Sequence, residues 1–249
     1  MYRLIFSSYL CEVKSTPNIR ELTFDQLSEA IAEFGEKSFR AKQIYDWLWN
    51  KSARSFDQMN NVPLSLRNKL AEKFAFTPIC VAHEQRSNDR TIKYGFKLHD
   101  GHLIEGVLIP TASRMTACVS SQVGCSLSCK FCATGKLDRV RNLNADEIYD
   151  QVAIIREQSM AVYNIPLSNI VYMGMGEPLL NYANVLSSIE RITAANGLGM
   201  SPQRITVSTA GIAKMITKLG DDEVKFNLAL SLHAANDSKR DKIMPINEH

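Results

Sequence analysis

The spacing of apolar residues along this chain changes period twice, and each change marks a new kind of structure. Up to about residue 75 the period is helical. Leu27, Ala30, Ile31 and Phe34 share one face of a segment opened by Thr23 and Gln26, which stand at capping-box spacing, and closed by Gly35. Ile44, Tyr45, Leu48 and Trp49 repeat the spacing in a second segment that starts near Ser38. Leu66, Leu70 and Phe74 do so in a third, after Pro63. This predicts a helical accessory domain over residues 1–89, with Trp47 and Trp49 as core or interface residues rather than a base-stacking platform.

From Arg90 the period becomes two. Ile92, Tyr94, Phe96 and Leu98 alternate with polar residues or glycine, Asp100-Gly101 supplies a turn, and Leu103 to Ile109 returns. A β-hairpin extension over 90–115 follows. Glu105 interrupts its return strand. Periodicity alone favours the solvent face for that carboxylate, with a site as the alternative.

After Thr116 strands and helices alternate. Strands are expected at Ala117–Gln122, Asn169–Met173, Ile205–Ser208 and Phe226–Ser231, and helices at Asp146–Met160, Val185–Ala195 and Ile212–Leu219. Repeated βα units imply an α/β fold with a parallel sheet that works at the carboxyl ends of its strands. The cysteine-rich stretch that follows the first strand, Gly174-Met175-Gly176-Glu177, Ser208 and Ser231-Leu232-His233 all fall at those ends.

Composition adds bounds. The 249 residues are 45% hydrophobic and 22% charged, ordinary for a soluble protein, with no apolar run of membrane-spanning length and no convincing secretory start. A cytoplasmic address, no membrane partner and reduced cysteines are expected. Cys11 and Cys80 stand alone and read as structural thiols. The net charge of +3 is too mild to prove a polyanionic partner. Between Glu36 and Ala75, however, eight basic residues (Lys37, Arg40, Lys42, Lys51, Arg54, Arg67, Lys69, Lys73) face four acids (Glu36, Asp46, Asp57, Glu72). That surplus suits either phosphate tracking or ordinary solvated helix faces.

The strongest chemical signal is Cys125, Cys129 and Cys132 in G-C-S-L-S-C-K-F-C-A-T-G. A structural zinc site is normally closed by four ligands, whereas a site built for chemistry keeps a position open. Three thiolates on one loop also fit a four-iron cluster with one iron left free for a substrate or cofactor. The alternatives are a zinc knot completed by Cys118, or inert buried thiols.

Placed after the first strand of a βα array, C-x-x-x-C-x-F-C resembles the radical S-adenosylmethionine superfamily. The strings C-V-S-S-Q-V-G-C, K-F-C-A-T-G, R-N-L, Y-M-G-M-G-E-P-L-L-N, R-I-T-V-S-T-A-G and L-S-L-H-A-A-N-D narrow it. Together with I-E-G-V-L-I-P and the helical start, they resemble the RNA adenine-C2 methyltransferases of the RlmN type over nearly the whole chain. The resemblance implies a partial (β/α)6 barrel over 116–249, and a [4Fe-4S] cluster on Cys125, Cys129 and Cys132. It implies S-adenosyl-L-methionine held by Gly176, Glu177, Ser208, Ser231, Leu232 and His233. It makes Glu105 the base that takes the proton from adenine carbon 2, in a partly desolvated setting. Cys118 becomes the thiol that resolves a covalent RNA adduct. The partners implied are 23S rRNA, tRNA and a reducing electron donor such as flavodoxin, acting on a monomer. A sister activity at adenine carbon 8 is separated only modestly by these strings.

The chain stops at M-P-I-N-E-H, with four barrel strands legible where the superfamily usually has six. The family's methyl-carrying cysteine lies beyond this point, and none of the six cysteines takes its place. Two expectations follow. The chain is a fragment of a full-length enzyme, or a natural short form that is a catalytically incomplete RNA-binding or cofactor-cleaving remnant. On either, an edge strand of the parallel sheet would be left unpaired and exposed.

Overall fold

A computed structural model describes residues 16–248, so Cys11 and the amino-terminal stretch read above lie outside the described residues. The chain divides into two compact units: the described residues up to Ile44 with Ser55–Phe76, and Tyr45–Arg54 with the chain from Thr77 onward.

In the first unit, α1 (Phe24–Glu33) begins at the expected capping box. Thr23 Oγ1 accepts from the Gln26 amide at 3.2 Å, and Gln26 Oε1 accepts from the Thr23 amide at 2.8 Å. Gly35 follows at φ +74°, a left-handed turn that glycine adopts without steric cost. The helix α2 (Phe39–Trp49) runs from this unit into the second, and α3 (Leu64–Lys73) buries Leu66 and Leu70. Backbone bonds from Ile19 to Ala75 and from Ala75 to Pro17, both 3.0 Å, tie the two ends of the unit together.

The second unit is built on a seven-stranded sheet. Its strands are β1 (Cys80–Arg86), β2 (Ile92–Lys97), β3 (Leu103–Pro110) and β4 (Met115–Cys118), joined antiparallel in that order. A separate two-stranded ribbon pairs β5 (Gln122–Val123) with β6 (Arg141–Asn142). The helix α4 (Ala145–Gln158) then leads to β7 (Asn169–Tyr172), α5 (Tyr182–Thr193) to β8 (Ile205–Thr209), and α6 (Ala213–Asp221) to β9 (Asn227–Leu230). A short α7 (Asp237–Asp241) follows. In the main sheet β4, β7, β8 and β9 are neighbours and parallel.

The period-two residues Ile92, Tyr94, Phe96 and Leu98 are all buried. The period could not find β1, because every residue of Cys80–Arg86 is exposed and no alternation marks it. Cys80, read above as structural, is an exposed thiol on this strand. The strand expected over Ala117–Gln122 is broken: β4 ends at Cys118, and the next three residues leave the ladder. At the far edge, Leu228 and Leu230 of β9 are exposed.

The helix α4 is buried on more than one face. Ile148, Val152 and Ile155 are its apolar stripe, and its polar positions are used as well. Gln151 brackets Ser120, accepting from its amide at 2.8 Å and donating to its carbonyl at 3.1 Å. Tyr149 stacks edge-on against Trp49 with ring centroids 5.1 Å apart, donates to the Trp49 carbonyl, and meets Ser52 Oγ at 2.8 Å. Tyr149→Phe keeps the ring and removes the hydroxyl between two buried polar groups. It should cost about 1–3 kcal/mol, read as a lower denaturant midpoint with an unchanged slope.

Candidate active site

Two strand ends in the second unit approach so closely that no side chain fits between them. Gly174 stands against residues 119–120: a Cβ there would lie 2.7 Å from Ser120 Oγ and 2.8 Å from its amide nitrogen. Gly176, at φ +95°, stands against Gln122, where a Cβ would lie 2.5 Å from the Gln122 Cβ and 2.9 Å from its nitrogen. Backbone bonds then join the segments directly, from Gly174 to Val119 at 3.0 Å and from Ser121 to Met175 at 2.8 Å. Gln122 Oε1 accepts from the Glu177 amide at 2.9 Å. This clasp ends β4 early and fixes where the cysteine loop leaves the sheet.

A cavity of about 260 Å³ lies at the carboxyl ends of the parallel strands. One end is lined by Cys125, Cys129, Cys132, Leu127 and Phe131, the other by Gly176, Glu177, Ser208, Ser231 and His233. Cys129 and Leu127 pack with Ala210 and Met244, and the Lys130 amide donates to the Ile243 carbonyl at 2.9 Å, so the loop is seated on the carboxyl-terminal segment. Phe131 packs against His233 with centroids 4.2 Å apart and the rings tilted by 46°. Ser208 and Ser231, on adjacent strands, share a 3.1 Å hydroxyl contact.

Glu177 is 3% exposed, and both its oxygens are engaged. Oε1 accepts from the Leu179 amide at 3.1 Å and Oε2 from the Ala210 amide at 2.8 Å. Burial raises its pKa, against the pull of those two bonds. Each carboxylate oxygen keeps a further lone pair, so the group both ties β7 to β8 and presents charge to the cavity. Burial also raises the thiol pKa of Cys125 and Cys129, and neighbouring acidic groups add to the effect.

Not every expected residue enters this cavity. Leu232 is exposed and Cys118 lies at the end of β4, paired with Val107 and Val171; neither is part of the lining. Glu105 lines a different groove, where its half-exposed carboxylate accepts from Lys93 Nζ at 2.5 Å. Its setting is half buried and holds a neighbouring cation. Among the described residues, no three or more His, Cys, Asp or Glu side chains are gathered around a point suited to a single metal ion.

The sequence reading had not assigned Ser120, Gln122 or Asn181. Ser120 Oγ donates to the Glu105 carbonyl at 2.5 Å and accepts from the Met175 amide at 2.8 Å. Asn181 Nδ2 donates to the Ser121 and Leu143 carbonyls, each at 2.8 Å. Ser120 and Gln122 lie inside C-V-S-S-Q-V-G-C, so the signal was present, but short polar residues next to a strand give no periodicity.

Comparison with known proteins gives concordant matches. Residues 17–76 match the family model described as the ribosomal RNA large subunit methyltransferase N-terminal domain, and residues 119–248 match that of the radical SAM superfamily. A probable dual-specificity RNA methyltransferase RlmN from Cytophaga hutchinsonii is 58% identical over 246 residues, covering 96% of this chain and 67% of that protein. The same-named protein of Christiangramia forsetii is 57% identical, covering 96% and 68%. The solved structure of a radical SAM methyltransferase from Sphaerobacter thermophilus superposes with a TM-score of 0.86 at 38% identity, over 93% of this chain and 68% of that one. The chain thus spans about two thirds of the length of these proteins.

Two outcomes follow from the geometry. Gly176→Ala places a Cβ both in the left-handed region and against Gln122, so it should cost about 2 kcal/mol or more and disturb the cavity; thermal denaturation and cofactor binding measure the two effects. Cys118 gives a pH signature. Burial pushes its thiol up to about 11 from an ordinary 9.0, so the folded state holds the proton more tightly than the unfolded chain. That stabilisation is complete below pH 9.0 and is lost as pH rises through about 11. Across that window, wild-type stability in denaturant should fall more steeply than that of Cys118→Ala; parallel curves would contradict the burial argument.

Proposed function

We propose that this chain, which belongs to the RlmN family of radical SAM methyltransferases, methylates carbon 2 of adenine in 23S ribosomal RNA and in transfer RNA. The observation that carries the reading is the single cavity in which three thiols of one loop meet Glu177, Ser208 and Ser231. The donor set suits a [4Fe-4S] cluster: three thiolates would hold three irons and leave the fourth open to S-adenosyl-L-methionine. When bound, the reduced cluster and that cofactor supply a carbon radical able to remove hydrogen from a methyl group, which an electron-poor adenine carbon requires.

The chain's own residues do the rest. Gly176, without a side chain, lets the backbone approach the cofactor, and Glu177 accepts from its ammonium with the lone pairs left by Leu179 and Ala210. Ser208 and Ser231 offer hydroxyls, and Phe131 and His233 add an apolar contact beside them. Glu105 takes the proton from carbon 2, its carboxylate oriented by Lys93. Cys118 resolves the adduct between RNA and a carrier cysteine: its thiol gives up its proton, its sulfur bonds to the carrier sulfur as a disulfide, and the carbon–sulfur bond breaks with its electron pair passing to the carbon left on adenine, which is then protonated. The helical residues 17–76 carry the RNA-binding role, and the basic surplus between Glu36 and Ala75 supports it. The electron donor is a low-potential protein of the flavodoxin type.

Anaerobic reconstitution tests the reading. Iron and sulfide should bind at about four each per chain, and addition of reductant should release 5′-deoxyadenosine and methionine from S-adenosylmethionine. Cys129→Ala should lose both. Stoichiometric zinc without cleavage would favour the zinc knot instead.

A further inference from the structure

A second groove, of about 420 Å³, runs beside the antiparallel half of the sheet, and no role has yet been given to most of its wall. It is lined by His83, Gly95, Leu103, Glu105, Leu137 and Met175. Leu137 belongs to the segment that follows Cys132, and Met175 to the loop that carries Glu177. The groove therefore lies next to the cysteine loop on one side and holds Glu105 on the other.

The register explains how His83 reaches it. His83 of β1 stands opposite Gly95 of β2, and Gly95 stands opposite Glu105 of β3. Residues directly opposed across a sheet point to the same face. His83, Gly95 and Glu105 therefore form one row on the face away from the buried Tyr94 and Phe96. The register of β1 shifts between Val81 and His83, and such bulges re-aim a side chain. The glycine in the middle of the row is then necessary. A Cβ on Gly95 would lie 2.0 Å from His83 Cε1 and 2.3 Å from Nε2. The imidazole thus fills the space that any other residue at position 95 would take.

A bulge, a glycine that makes room and a groove shared with Glu105 all act on one aromatic ring. Packing does not require it, since β1 is exposed throughout. A groove lined by apolar Leu103, Leu137 and Met175, an aromatic ring lying over Gly95 and a carboxylate fits a planar heterocycle. Unpaired RNA bases are commonly bound by stacking on aromatic side chains, histidine included. We propose that His83 is a base-contacting residue, forming the floor on which the unstacked target adenine lies with its edge towards Glu105. This rests on the adenine-methylating reading above.

The test uses two fluorescein-labelled RNA hairpins, one with an unpaired loop adenine and one abasic at that position, with affinities read by anisotropy. Wild-type protein should prefer the adenine hairpin. His83→Ala should lower affinity for that hairpin by about tenfold, leave the abasic hairpin unchanged, and leave cluster content unchanged. His83→Phe, which keeps a ring, should retain most of the preference. Gly95→Ala, which displaces the ring, should reproduce the His83→Ala loss, and the double variant should lose nothing more. A His83→Ala protein that still discriminates like wild type, or that loses affinity equally for both hairpins, would overturn the role of His83 alone. Wild-type protein that does not distinguish the hairpins would remove the adenine reading of the site, and this proposal with it.

Discussion

The close approach of residues 119–122 to residues 174–176 is the constraint on which the rest of the site depends. Two glycines allow it, because any Cβ at 174 or 176 would run into the opposite segment. The chain after β4 then cannot continue as a strand and turns into the cysteine loop. On the other side, Glu177 is delivered to the end of β7 with its amide held by Gln122. Ligand loop and carboxylate thus face one cavity because two backbones touch, and the touching is written in the sequence as absent side chains.

The same clasp connects the two halves of the sheet. Ser120 lies inside it, and its hydroxyl reaches the Glu105 carbonyl on β3 while accepting from Met175. Glu105 itself looks onto a separate groove, on the antiparallel face. The parallel strands thus carry the cavity lined by the three cysteines, and the antiparallel strands carry the groove that holds Glu105. Met175 lines that groove, and the neighbouring Gly174 and Gly176 line the cavity.

Much of this was legible in the residues. Helical spacing found α1 to α3, and the capping box and Gly35 marked the limits of the first. Period two found β2 and β3, and the βα alternation found the four parallel strands whose ends hold the site. The cysteine spacing put three thiols on one loop, and all three line one cavity. What escaped was whatever lacks a periodic signature. β1 is exposed on both faces, so nothing in C-V-A-H-E-Q-R alternates, and with it went the row that places His83 over Gly95. The break after Cys118 was hidden among short polar residues, because it is imposed by Gly174 fifty-odd residues later. Glu105 interrupts an apolar stretch, of which Ile104 and Leu108 turn to the buried face while Leu103 shares the groove with its carboxylate, and Lys93 meets that carboxylate.

The central claim is that the three-cysteine loop and the Glu177–Ser208–Ser231 wall form one functional cavity, with cluster and cofactor in contact. Electron paramagnetic resonance of the reconstituted, reduced protein tests it most directly, with spectra recorded before and after addition of S-adenosylmethionine. The account predicts a [4Fe-4S] signal that changes on addition because the cofactor binds the open iron, and no such change when Glu177 and Ser208 are both replaced by alanine. A cluster signal indifferent to S-adenosylmethionine in the wild-type protein would contradict it.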